Sequence, residues 1–408
     1  MLKFFNLKLI FKYSFILFIV SALYGLFIRF NYAFPQVSFN YQSFLQGHSH
    51  VAFLGWGYLA TIGLILRFFV PKELRNNNKY KILFSILVIS ILLMLISFPL
   101  SGYNLFSIAL LSTFGIVSYF LTFGILKDLD NNKAGSNFIK YGLYYYLLSS
   151  LATWFLAYVI VTQGKTDLYY NTVYFYLHFL YNGFFVFSLL GLLFNIFSQQ
   201  RIKNSLNLEQ KVFIFLNIAC IPTYFLSVLW STEIRFYYVA AFFGAFSQLV
   251  ALFYFIKLYN QFYKQLKWNW LTKLLLQFAL ISFFIKIVLQ FLSSFPYFVK
   301  LTLALKPYFI IGYLHLFTLG FMSVLLLLFL VQSTIFKIES KVSKSGVLLI
   351  LLGIFFTEFL MFGQGFSLLI KVGMLPYYNI VLFVCSVVIV SGLLFFFGSQ
   401  FKEKQLDK

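Results

Sequence analysis

Long apolar segments alternate with short polar loops along the whole chain. Each apolar segment runs for about 18 residues or more, the length that an α-helix needs to cross the hydrocarbon core of a bilayer. The pattern therefore predicts about twelve transmembrane helices. They cover, to within several residues, positions 13–30, 47–70, 80–100, 104–126, 141–162, 169–198, 212–231, 236–257, 274–295, 307–331, 345–367 and 376–398.

Composition places these helices in a lipid bilayer. Hydrophobic residues make up 62% of the chain and charged residues 10%, and the mean hydropathy is +0.90. A soluble globule of this length is not this apolar. We expect residues 1–408 to form one all-α integral membrane domain, with aromatic clusters such as residues 144–146 facing lipid or the membrane interfaces.

The basic residues predict the orientation of the helices. The net charge of +21 comes from Lys and Arg residues that cluster in alternate loops, such as residues 67–81 and 257–273. The positive-inside rule puts such loops in the cytoplasm, which places both termini on the cytoplasmic side of what we expect to be a bacterial inner membrane. Topology and anionic lipid headgroups account for the charge, so we expect no nucleic-acid partner.

Three of the four histidines begin the same short phrase. The three phrases are His50-x4-Gly55-Trp56, His178-x4-Gly183-Phe184 and His315-x4-Gly320-Phe321. They fall in the second, sixth and tenth predicted helices, so the twelve helices divide into three groups of four. Chance is the alternative explanation for this internal repeat.

The histidines are candidate ligands of a buried metal or haem centre. Imidazole is costly to bury in lipid and is a common metal ligand, while glycine allows a flat cofactor to approach closely. The candidate metal or iron ligands are His48, His50, His178 and His315, and Gly55 and Gly320 would lie beside the cofactor.

The depth of the histidines supports a shared role. Cytoplasmic basic residues follow them after 19 to 23 positions, at Arg67, Arg201 and Lys337. At about 1.5 Å per residue, the histidines lie at a similar depth, roughly 28 to 35 Å from that edge. Ligands that converge on one or two centres must share a depth in this way.

Two of these ligand assignments have an alternative. His48 and His50 are two residues apart, about 200° around a helix, so only one of them can face a given iron. His178 has Tyr181 and Asn182 within about one turn, and hydrogen bonds among these side chains would join helices without any metal.

Two of the phrases resemble those of a known family. His48-Ser49-His50-x4-Gly55-Trp56 resembles the His-x-His-x4-Gly-[Tyr/Trp] phrase of the NnrS family, haem- and copper-containing membrane proteins linked to nitric-oxide stress. The phrase from His315 to Gly320 is similar to that family's His-x-Leu-Thr-x-Gly. The helix count and the positions of the histidines also resemble those of the catalytic subunit of haem-copper oxidases.

The resemblance implies a low-spin haem held between the tenth helix, by His315, and the second helix, by His48 or His50. His178 matches the sixth-helix position that binds copper in the oxidases, so copper is a further cofactor that the resemblance implies.

The departures from the oxidase pattern matter as much as the matches. No histidine occurs in residues 212–231, where the oxidases carry further copper ligands, and Tyr313 stands where their high-spin haem ligand would be. A complete copper–haem oxygen-reducing centre is therefore not expected, nor is a terminal oxidase. The two cysteines, Cys220 and Cys385, form no Cys-x-x-Cys-His motif, so a covalently attached c-type haem is not expected. The resemblance implies a b-type haem.

The sequence leaves three classes of function open. The first is a haem protein of this superfamily that transfers electrons or handles nitric oxide or another diatomic gas, with a redox partner or further membrane subunits. The second is a non-catalytic assembly or sensor subunit of the same fold. The third is a twelve-helix secondary transporter.

Lys286 and Glu358 are ionisable residues at similar depth inside two predicted helices, and we expect them to form a structural ion pair. A proton path or a partner for a haem propionate is the alternative, and in a transporter the two residues would be a coupling pair.

Overall fold

The computed structural model describes residues 7–35, 39–199 and 206–406 of the protein. Helices account for most of these residues, and no strand occurs among them. The prediction of an all-helical chain of the multi-pass membrane class is confirmed. Arg201, the basic residue that marks the cytoplasmic edge after His178, lies outside the described residues.

Within these ranges, eleven helices are long and apolar enough to cross a membrane, and a twelfth helix, α7, is shorter. In chain order these twelve helices are α1 (Leu7–Ala33), α2 (Tyr41–Phe69), α3 (Asn78–Ser101), α4 (Leu105–Asp128), α5 (Ser136–Thr162), α6 (Asp167–Gln199), α7 (Leu206–Cys220), α8 (Arg235–Tyr263), α9 (Trp270–Leu292), α10 (Lys306–Gln332), α11 (Lys341–Leu369) and α12 (Tyr378–Leu406). Two short helices, Lys72–Arg75 and Pro296–Ala304, lie between them.

The predicted run 212–231 is not one continuous helix. α7 ends at Cys220 and is followed by 3-10 turns at Pro222–Ser227 and Leu229–Ser231. Pro222 has no N–H to donate to the preceding turn, and in a continuous helix its ring would clash with the carbonyl four residues earlier. The 15 residues of α7 span about 22 Å, which is less than the roughly 30 Å hydrocarbon core.

Contacts between Cα atoms divide the chain into two compact units. Unit 1 comprises Met1–Asp128, Leu274–Phe278 and Leu314–Lys408, and unit 2 comprises Leu129–Lys273 and Ala279–Tyr313. His48, His50 and His315 therefore belong to unit 1, and His178 belongs to unit 2. A single membrane domain over residues 1–408 stays a prediction.

Aromatic rings and small residues pack the helices of unit 1. Trp56 of α2 is 1% exposed, stacks on Phe18 of α1 at a ring-centroid distance of 4.7 Å and meets Phe15 edge-on at 5.7 Å. On α11, a Cβ added to Gly346 would lie 2.6 Å from the backbone nitrogen of Phe396 on α12. Helices in membranes approach closely through small residues, and α11 and α12 follow that rule.

In unit 2, α5 and α6 make a similar close contact. A Cβ added to Gly183 of α6 would lie only 2.4 Å from the Cβ of Tyr145 on α5. Tyr145 and Tyr146 are buried, whereas Tyr144 is 44% exposed. The expectation that this aromatic cluster faces lipid is wrong for two of its three members, because one side of α5 packs on α6.

The three helices that carry the histidine phrases are the most buried of the eleven. The buried share of the most apolar stretch is 78% in α2, 100% in α6 and 72% in α10, whereas it is 33 to 50% in the other eight helices. The sequence repeat therefore marks the helices that are most enclosed by protein.

The contact at Gly183 predicts the effect of a single methyl group. Gly183→Ala should lower the free energy of unfolding by about 1 to 3 kcal/mol, because α5 and α6 must separate to accept the new Cβ. Gly363→Ala on α11 is the matched control, since nothing lies within 4 Å of its added Cβ. Denaturant titration of both variants in mixed micelles measures the difference; equal stabilities would contradict the close contact.

Candidate functional site

A π-helical segment begins directly after each repeated histidine. The segments are Val51–Tyr58 after His50, Phe179–Phe185 after His178 and Leu316–Ser323 after His315. They are the three π-helical segments in the part of the chain that the structure describes. Such segments are rare and occur frequently at functional sites. The repeat in sequence is thus also a repeat in backbone geometry.

The spacing within each phrase suits this geometry. A π-helix pairs each carbonyl with the N–H five residues later, and each glycine lies five residues after its histidine. In α10 a side chain adds to the pattern, because the hydroxyl of Ser323 donates to the carbonyl of Thr318, five residues earlier, at 2.7 Å. The glycine offset therefore corresponds to one widened turn.

The ring of His48 is oriented by α1. Its Nδ1 lies 2.9 Å from the carbonyl oxygen of Ser21, and since a carbonyl only accepts, Nδ1 carries the proton and Nε2 keeps its lone pair. No described residue forms a hydrogen bond with that Nε2. The ring also lies against Gly25, whose added Cβ would be 3.2 Å from Cε1. Metal-ligating histidines typically donate their other ring N–H to a carbonyl in this manner.

His50 is held differently. Its Nδ1 donates to the carbonyl of Gln46 at 2.8 Å, and its Nε2 accepts the hydroxyl of Tyr103 at 3.2 Å. The ring stacks on Phe98 with centroids 4.4 Å apart. Both nitrogens of His50 have partners, so His48 is the better placed of the two to bind a metal.

His178 also has both ring nitrogens in use. Nε2 donates to the carbonyl of Cys220 at 2.8 Å, and Nδ1 accepts from the amide of Asn182 at 3.3 Å. Gln290 adds a further hydrogen bond to this series, because its amide donates to the side-chain oxygen of Asn182 at 3.5 Å. The sequence-based alternative, in which hydrogen bonds of His178 join helices, describes this arrangement.

The carbonyl of Cys220 is available to His178 because the helix is interrupted at Pro222. The carbonyls in the last turn of a helix have no N–H partners within the helix, and Cys220 is the last residue of α7. The hydroxyl of Thr223 donates to Ala219 at 2.8 Å and to Cys220 at 3.3 Å, and His178 supplies a second donor to Cys220. His178 therefore caps the interrupted helix.

Two hydrogen bonds fix how α2 and α10 align in unit 1. The indole Nε1 of Trp56 donates to the hydroxyl of Ser323 at 2.8 Å, and Nη2 of Arg67 donates to the carbonyl of Ser333 at 2.9 Å. The paired positions on α2 and α10 are 267 and 266 residues apart, so these helices run parallel and their register shifts by one residue between the two contacts. Continued eight residues toward the start of each helix, the register of Trp56 and Ser323 puts His48 and His315 at the same level.

The glycines of the phrases contact protein side chains. A Cβ added to Gly55 would lie 3.1 Å from Leu17 of α1 and 3.3 Å from Ile91 of α3, so the space beside Gly55 is already filled. Gly320 is buried within the π-helical segment of α10. Assignment of Gly55 and Gly320 to cofactor binding stays a prediction.

The two deeply placed ionisable residues are buried without ion pairs. Lys286 is 2% exposed, and its ammonium lies 5.7 Å from the ring centroid of Phe283. Glu358 is 8% exposed, and neither carboxylate oxygen has a hydrogen-bond partner. The ion pairs found within the described ranges involve other side chains.

Sequence reasoning missed three residues that shape the site. Ser21 and Gly25 of α1 contact His48, and nothing in the sequence links them to that histidine. Ser323, the acceptor for Trp56, left a faint signal, because Trp56 and Ser323 each follow a candidate ligand by eight residues.

Among the described residues, no group of three or more His, Cys, Asp and Glu side chains is arranged to hold a metal ion. A haem iron needs only one or two protein ligands, so this observation does not bear on haem. The sequence matches no protein-family model and no curated protein. The functional assignment therefore depends on the geometry of the histidines.

The register of α2 and α10 gives a testable expectation. Ser323→Ala should lower the free energy of unfolding by about 1 to 2 kcal/mol, because the buried indole N–H of Trp56 loses its acceptor. Ser333→Ala is the matched control, since Arg67 contacts its backbone carbonyl, which the substitution keeps. Denaturation in mixed micelles, monitored by tryptophan fluorescence, compares them; a larger loss in the control would contradict the assigned contacts.

Proposed function

We propose that this chain is a haem-binding, multi-pass membrane protein of the haem-copper oxidase superfamily, similar to the NnrS family. One low-spin b-type haem would be held between His48 of α2 and His315 of α10. The observation that carries the proposal is the parallel alignment of α2 and α10, from which we infer a common level for these histidines, with Nε2 of His48 left to bind iron.

The surroundings of His48 favour it over His50 as the ligand from α2. The Ser21 carbonyl holds the tautomer in which Nε2 is the basic nitrogen, and a hydrogen bond of this kind makes an imidazole a better donor to iron. His50 would first have to lose the hydroxyl of Tyr103 from its Nε2.

Electron transfer is the role that two histidine ligands support best. A bound haem would supply one-electron redox chemistry, and two histidine ligands would leave no open position for a gas on its iron. Handling of nitric oxide or another diatomic gas would require one ligand to leave. The protein's own contribution is to orient the two imidazoles within α2 and α10. In the most apolar stretches of these helices, 78% and 72% of the residues are buried.

Copper is supported less well than haem. To bind a metal, His178 would have to give up its hydrogen bonds to both Cys220 and Asn182, and α7 would lose a cap at its interrupted end. Unit 2, to which His178 belongs, contains no second histidine. We therefore propose no complete copper–haem oxygen-reducing centre.

The proposed location is a bacterial inner membrane with both termini in the cytoplasm and twelve crossings in three groups of four. The clustering of Lys and Arg in alternate loops supports this orientation. The seventh crossing would consist of α7 and the 3-10 turns after Pro222. A redox partner or another membrane subunit would exchange electrons with the haem.

A secondary transporter is the second candidate function. Lys286 and Glu358 are ionisable residues buried in helices without ion pairs, and α7 is broken at a proline, both of which occur in transporters. A non-catalytic assembly or sensor subunit would share the fold and differ from the haem proposal in having no turnover.

Single-histidine variants test the ligand assignment. His48→Ala and His315→Ala should each lose the low-spin haem, because each removes one axial ligand, while His50→Ala should retain it. Haem content per protein and the optical spectrum of each purified variant are the measurements, with gel filtration to verify folding. Loss in His50→Ala alongside retention in His48→Ala would reverse the assignment, and full haem in all three would remove it.

A further inference from the structure

Glu358 of α11 is a buried acid with no partner. Its side chain is 8% exposed, and neither Oε1 nor Oε2 has a hydrogen-bond partner. A carboxylate anion buried in this way lacks the donors that its negative charge requires, whereas the neutral acid does not carry that cost. The structure therefore presents Glu358 in the environment of a protonated carboxyl group.

A cation lies close to this acid without pairing with it. Nη2 of Arg29, on α1, donates to the sulfur of Met361 at 3.5 Å, and Met361 follows Glu358 by three residues on the same side of α11. The charge of Arg29 acts on Glu358, yet no ion pair joins the two within the described residues. A thioether is a weak acceptor, so Arg29 is held one helical turn from a much stronger one.

The charge of Arg29 also acts on three other titratable groups of unit 1. They are Tyr41 and His48 of α2 and Cys385 of α12. Lys8 and Lys12 lie at the other end of α1, at least 17 residues or about 26 Å from Arg29. From α10, the π-helical segment that packs on α11 holds no ionisable residue and is preceded by His315. Because no donor among the described residues reaches either buried carboxyl oxygen, a proton is the ligand that fits Glu358.

We propose that Glu358 is a proton-binding site whose charge is coupled to a movement of Arg29. In the protonated state Arg29 donates to Met361, as in this structure. When the proton leaves, Arg29 transfers its hydrogen bond to the carboxylate, and the resulting ion pair compensates the buried charge. The exchange joins α1 and α11 differently in the two states.

Infrared spectroscopy tests the proton directly. The purified protein in lipid should show the C=O stretch of a protonated carboxylic acid at neutral pH, and Glu358→Gln should abolish that band. Glu233→Gln, at an exposed position, is the matched control and should keep it. Absence of the band from the unaltered protein, or its survival in Glu358→Gln, would overturn the proposal.

Variants of the two partners test the coupling and do not require Glu358→Gln to fold. Met361→Leu removes the competing acceptor, so the band should disappear at a lower pH than in the unaltered protein. Arg29→Gln removes the compensating charge, so the band should persist to a higher pH. Met94→Leu, at a buried methionine of α3, is the control. If the band of Met361→Leu and that of Arg29→Gln disappear at the same pH as the band of the unaltered protein, the coupling is overturned.

Discussion

The hydrogen bond from Trp56 to Ser323 is the interaction on which the candidate site of unit 1 depends. A buried indole N–H that lacks an acceptor is costly in an apolar interior, so this contact resists sliding of α2 along α10. Arg67 contacts α10 eleven residues further along α2, where the register has shifted by one residue. The π-helical segments Val51–Tyr58 and Leu316–Ser323 overlap in the register of Trp56 and Ser323, and its continuation puts His48 and His315 at the same level.

The same phrase serves two different purposes in the two units. Each repeated histidine precedes a π-helical segment, yet the neighbouring helices decide what the imidazoles do. His48, close to the first phrase, is held by a carbonyl of α1 in the tautomer that leaves Nε2 available. His178 has the opposite tautomer, because the break at Pro222 presents a carbonyl that needs a donor. His48, two residues before the first copy of the repeat, is thus suited to bind a ligand, whereas His178 of the second copy stabilises the fold.

Run length and hydropathy were sufficient to predict most of the helices, since a bilayer permits few other structures. The prediction of one continuous helix over residues 212–231 was wrong, because a hydropathy scale does not take account of the N–H that Pro222 lacks. The π-helical segments could not be predicted, because a widened turn has no distinct residue preference. The sequence identified the histidines but could not choose between His48 and His50, since that choice depends on Ser21, 27 residues earlier. It also could not foresee that Leu17 and Ile91 fill the space beside Gly55.

The most direct test of the haem proposal is the reduced-minus-oxidised optical spectrum of the purified protein, with iron and copper analysis of the same sample. The account predicts the sharp bands of a low-spin b-type haem, about one iron per chain and no stoichiometric copper. A colourless protein that stays colourless after reconstitution with haem would contradict it. The level arrangement of His48 and His315 would then serve only to pack α2 and α10.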